Sequence, residues 1–121
     1  MRADTTSTPL HALTTLNDPT WVEAARVLAQ QCIKASKDVD HRLSHAFRRV
    51  MCRKPTDSDI KLLRRAYETQ AAIYAKDKAG ARALLTVGDS KRDETLDVSE
   101  HAALAAVCLA ILNLDEALTR E

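Results

Sequence analysis

Aromatic side chains are scarce in this sequence: one Trp, two Tyr and one Phe in 121 residues. The core must therefore be filled by aliphatic residues and alanine, which requires elements packed close together. Glycine occurs twice and proline three times. With only Gly80 and Gly88 available, no glycine-rich loop can cradle a phosphate group. The three cysteines, Cys32, Cys52 and Cys108, are an odd number without C-x-x-C spacing. That pattern excludes a disulfide framework, a zinc knuckle and a c-type haem attachment site. Neither sign of charge dominates: 18 basic and 17 acidic residues leave a net +1. So even a balance argues against a dedicated nucleic-acid or membrane-surface binder. The longest apolar run, Ala102 to Leu112, is too short to span a bilayer. Residues 1–8 hold no apolar run, so no signal peptide is expected. No serine lies in a G-x-S-x-G elbow, and no cofactor motif is present.

What remains is rich in alanine and leucine, and that balance points to an all-α fold. We expect an N-terminal arm over 1–8 and a single helical domain over 9–121: three long helices and two or three short ones in a compact bundle. The first stretch contains two helix starts in tandem. Thr8-Pro9 opens a short helix over 9–16, with Leu10, Leu13 and Leu16 along one side. Asn17 ends it, and Asp18-Pro19 opens a second helix over about 19–36. Trp21, Ala25, Leu28 and Cys32 stripe its inner face, and Glu23, Arg26, Gln30 and Lys34 are assigned to the solvent side. Trp21 is expected to lock the corner between these two helices.

A third helix is expected over about 38–53, because Val39, Leu43, Ala46, Phe47, Val50 and Met51 follow the helical template throughout. Pro55 should stop it, since the residue before a proline is pushed out of the α region. Thr56 then caps a helix running to about Lys76 that buries Ile60, Leu63, Tyr67, Ala71 and Tyr74. Asp77 caps a short helix over about 78–87, and Gly88 opens a charged loop. Asp97 and Glu100 have the spacing of a capping box for the last helix. Every residue from Ala102 to Leu112 is apolar, which places this helix in the middle of the bundle. Asn113 is expected to break it.

Three groups of polar residues are candidates for chemistry. His41 and His45 are i, i+4 with Cys52 on the same side, a spacing that can hold zinc. Arg48 and Arg49 share that surface and would repel a cation, so a solvated face is the better account. Arg42, Arg48, Arg49, Arg53 and Lys54, with Arg64 and Arg65 on the next helix, form a basic cluster. Asp57, Asp59 and Glu68 lie near enough to make it a salt-bridged face rather than a nucleic-acid site. Asp18, Asp115 and Glu116 are carboxylates at helix breaks, where capping explains them better than acid–base work.

Several of these stretches also carry a resemblance. Thr8-Pro9-Leu10-His11-Ala12-Leu13, Leu16-Asn17-Asp18-Pro19 and Trp21-Val22-Glu23-Ala24-Ala25-Arg26 are similar to the opening motif of the planctomycete domain-of-unknown-function (DUF1553) family. So are Arg53-Lys54-Pro55-Thr56 and the closing Leu112-Asn113-Leu114-Asp115-Glu116. Ser7, His11, Cys52 and Ala117 replace the family's usual Asn, Gln, Gly and Phe. A residue other than glycine at position 52 costs about 1 kcal/mol if the family's left-handed conformation is kept. The loss of a phenylalanine at Ala117 should loosen the last turn.

The resemblance implies no assigned activity. It implies the C-terminal part of a larger, usually exported protein, with a partner domain and often a cytochrome c domain upstream. The expected role is a non-catalytic packing module that docks on that upstream domain or self-associates, with Leu10, Leu13 and Leu16 as its docking surface. The alternative is the helical end of a hydrolase-like enzyme, with His11 or Asp18 contributing to a site completed upstream. No nucleic acid and no membrane span are expected.

Overall fold

The computed structural model describes residues 19–119. Thr8, Pro9, Leu10, His11, Leu13, Leu16, Asn17 and Asp18 therefore lie outside the described residues, as do the side chains of Glu116 and Ala117. Five helices follow in order: α1 (Pro19–Ala35), α2 (Val39–Met51), α3 (Asp57–Lys76), α4 (Lys78–Leu85) and α5 (Val98–Thr119). Among the described residues there is no strand. The chain is an all-α bundle, as the glycine- and proline-poor composition implied.

Each start has a local cause. Asp38 caps α2 by accepting a hydrogen bond from the backbone N–H of His41. Thr56 and Asp59 form a reciprocal capping box on α3. Asp77 ends α3 and caps α4, its carboxylate accepting from the N–H of Gly80. Asp97 accepts from the N–H of Glu100 at the start of α5. The second half of that expected box is diverted, because the Glu100 carboxylate accepts instead from Arg42 of α2 at 3.0 Å.

The third expected stop is corrected. α2 ends at Met51, ahead of Pro55, because Cys52 turns into the left-handed region at φ 60° and ψ 27°. Its N–H closes the helix on the carbonyl of Arg48. Cys52 is the only non-glycine with positive φ among the described residues. The guanidinium of Arg53 lies 4.8 Å from the centre of the Phe47 ring and bonds Asp59, which holds the corner shut.

The last helix is the axle of the bundle. It packs against all four of the others. From His101 to Asn113, only Ala106, Ala110 and Leu112 are not fully buried. Ala102, Ala103 and Ala105 keep its surface flat, so neighbouring backbones can approach in place of the missing aromatics. Its length and composition would also suit a bilayer span, yet here the other helices cover most of it.

Asn113 does not break α5, which runs on to Thr119. The amide of Asn113 is 6% exposed and donates to the carbonyl of Leu109 one turn earlier, so its polar group is satisfied inside the helix. A further correction concerns α3. Ile60, Leu63, Tyr67, Ala71 and Tyr74 are half-buried at best, and no residue of α3 is fully buried. That helix lies on the outside of the bundle.

Candidate functional site

Two features hold the polar chemistry of the described residues. The first is a clasp between α1 and the loop that joins α4 to α5. The residues assigned to the solvent side of α1, Glu23, Arg26, Gln30 and Lys34, all grip this loop. Arg26 is only 1% exposed, and its guanidinium donates to the carbonyls of Val87 (2.7 Å) and Ser90. Glu23 accepts from the N–H of Ser90, and Gln30 accepts from the N–H of Asp93. Lys34 pairs with Asp93 at 2.8 Å.

Placing Arg26 at the surface was therefore wrong. A loop without periodicity has backbone groups that must be paired once it is laid over a helix, and a long polar side chain supplies the partner. Gly88 permits the close approach: its φ is +88°, and a Cβ there would run into the Glu23 side chain. Hydrogen bonds from Ser90 hold the Glu23 carboxyl below its ordinary value. Lys34 and Thr95 hold that of Asp93 far below the usual carboxylate range.

His101 sits beneath the clasp and is fully buried. The guanidinium of Arg92 donates to its Nδ1 at 3.1 Å and to the carbonyl of Leu96. Nδ1 must then be an acceptor, so the proton is on Nε2, which donates to the carbonyl of Arg26 at 2.9 Å. Burial, followed by the charges of Arg92 and Arg26, lowers the His101 pKa below its ordinary value. The ring is a neutral structural brace with both nitrogens occupied.

The second feature is a groove of about 900 Å³ between α2 and α3, with a smaller cleft beside it on α2. Arg48, Lys54, Lys61 and Arg65 line it, alongside Asp57 and Glu68. His41, Ser44, His45 and Arg49 continue the surface. Three of the cluster's cations are spent on internal pairs: Arg64 with Asp40, Arg53 with Asp59 and Arg42 with Glu100. Among the described residues, no such ion pair ties Arg48, Arg49, Lys54, Lys61 or Arg65. The salt-bridged face expected here is therefore only partly neutralised.

Residues 1–67 match the family described as "Protein of unknown function (DUF1553)". The chain belongs to this family. The family match runs through α1, α2 and the first half of α3, so it takes in most of the groove. No curated protein and no solved structure matches the chain.

The candidates read from the family-like sequence divide as follows. Asp97 caps α5 as expected, and Asn113 is an internal brace. Pro19 is the first residue of α1, at the helical position where its missing N–H costs nothing. Thr8, Pro9, Asn17, Asp18 and the leucines of the docking stripe lie outside the described residues.

His41, His45 and Cys52 do not gather into a metal-holding group, and no such group exists among the described residues. Cys32 and Cys108 are buried and free, and Cys52 is exposed. The contact with Cys32 and full burial push the Cys108 thiol well above its ordinary value. Sequence reasoning missed Arg26, Arg92 and His101. The one available signal was a run of polar residues at helical spacing on α1 opposite a loop too charged to pack by itself.

Proposed function

We propose that this chain is a non-catalytic helical docking module that packs, in full-length relatives, against the domain preceding it. The observation that carries this reading is the outer face of α3. That helix buries no residue fully, yet it exposes Leu62 (66%) and Ile73 (48%). The two are eleven residues apart, three helical turns, and so share one side, with Thr69 between them. Two large apolar side chains in line on the outer side of a twenty-residue helix, turned away from its own core, are the contacts this face offers another molecule. The buried polar groups support the same reading. Arg26, His101 and Asn113 are all engaged in internal hydrogen bonds, and no nucleophile is paired with a base there.

The test supplies the upstream domain of a full-length relative in trans and measures heat of binding. Binding is expected for the natural chain and should be lost in the Leu62→Glu, Ile73→Glu double variant. Sedimentation of the chain alone completes it. Concentration-dependent self-association abolished by the same variant would assign the face to a second copy. A monomer that also ignores the upstream domain would refute the docking function.

A further inference from the structure

The basic groove borders the apolar stripe on α3, and the pair says what kind of surface fits. Around the α3 helix, Lys61 and Arg65 stand between the groove and the line through Leu62, Thr69 and Ile73. Residues 38–68 hold eight basic and five acidic side chains, so this segment carries +3 while the whole chain carries only +1. Three of the five carboxylates are already engaged. Asp40 and Asp59 are in ion pairs, and Asp38 caps α2. Free cations therefore outnumber free carboxylates along the groove. Arg48 and Arg49 also stand in the last turn of α2, where the helix dipole favours positive charge and offsets part of their mutual repulsion.

We propose that this face binds an acidic, apolar-centred segment of a protein partner. Its carboxylates would lie along Arg48, Lys61 and Arg65, and its leucine-like side chains on Leu62 and Ile73. This inference rests on the docking reading above and adds the chemistry of the occupant. Charge complementarity selects the sign, and the adjoining apolar stripe selects a protein segment over a bare anion. A nucleic acid fits less well. Among the described residues no aromatic side chain lines the groove or the cleft beside it to give bases a platform for stacking, and the chain as a whole is nearly neutral.

Fluorescence anisotropy with three labelled synthetic peptides decides the matter: one of glutamate and leucine, one of lysine and leucine, and one of glutamate and serine. The glutamate–leucine peptide should bind the full chain, with affinity falling about tenfold between low and physiological salt as exposed charges are screened. The other two should bind roughly tenfold more weakly or not at all. Arg48→Glu with Arg65→Glu should weaken binding by a similar factor. All four altered residues are exposed, and the salt series on the natural chain needs no variant to fold. If Leu62→Ser with Ile73→Ser abolishes binding but charge reversal and salt do not change it, docking stands and the acidic preference is refuted. If neither pair matters, both readings fail. Displacement of the acidic peptide by a thymidine oligonucleotide at lower concentration would overturn the proposal in favour of a nucleic-acid groove.

Discussion

Arg26 is the residue whose removal should cost most for its position on a helix surface. Its side chain donates two hydrogen bonds to the loop, and its own carbonyl accepts from His101. Replacing it with alanine removes two charge-assisted bonds and leaves the carbonyls of Val87 and Ser90 without a donor. Each bond to a charged group is worth about 1.5–3 kcal/mol, and a buried carbonyl left unpaired costs about 1–3 kcal/mol. The two figures overlap, and the loop sits at the surface where water can reach part of the gap. We therefore expect Arg26→Ala to lose about 3–5 kcal/mol of unfolding free energy. Arg26→Lys should lose about half of that, because a single ammonium cannot reach both carbonyls as a planar fork does.

Urea titration measures the loss, and amide exchange locates it. Protection at Ser90 and Asp93, whose N–H groups donate to Glu23 and Gln30, should drop before that of α5. A loss below about 1 kcal/mol, with loop exchange unchanged, would refute the clasp as a stabilising device.

The other predictions test separate parts of the fold. Cys52→Gly should stabilise the chain by about 0.5–1 kcal/mol, because the left-handed turn costs a side chain but not glycine; a shift in urea midpoint checks it. Stability should fall on acidification through the range just below the ordinary histidine value. There the unfolded chain takes a proton on His101 that the folded one refuses, and the loss levels off below the folded pKa. Unfolding curves at a series of pH values, with His101→Gln as the variant lacking that slope, measure it. The losses tied to Asp93 and Glu23 appear only at lower pH, because their folded values are depressed. Leu109→Ala or Ile111→Ala should cost about 2–5 kcal/mol in the same titration, as large-to-small core changes do. A thiol reagent should modify Cys52 in the native chain and reach Cys32 and Cys108 only after denaturation, as counted by mass spectrometry.

The sequence by itself determined the helices and most of their ends. Apolar periodicity located α1 and α2, a capping threonine or aspartate marked where α3, α4 and α5 begin, and the unbroken run Ala102–Leu112 placed α5 at the centre. These are local signals, set by residues within one or two turns of each other. The end of α2 was read less well: periodicity carried the helix to residue 53, and only the glycine in the family's pattern hinted at the left-handed turn that Cys52 makes.

Only the tertiary structure decided which polar residues are internal. A guanidinium at helical spacing between Glu23 and Gln30 looks the same whether it faces water or a loop sixty residues away. The difference lies in backbone carbonyls of residues 87 and 90 that no pattern brings near Arg26. Asn113 follows the same logic: its amide breaks a helix when it competes for a neighbouring backbone, but inside the bundle it bonds the carbonyl one turn back and the helix continues. The depth of α3 was likewise open, since half-buried and fully buried apolar stripes share one periodicity. Which side of a helix is covered depends on what the rest of the chain places beside it.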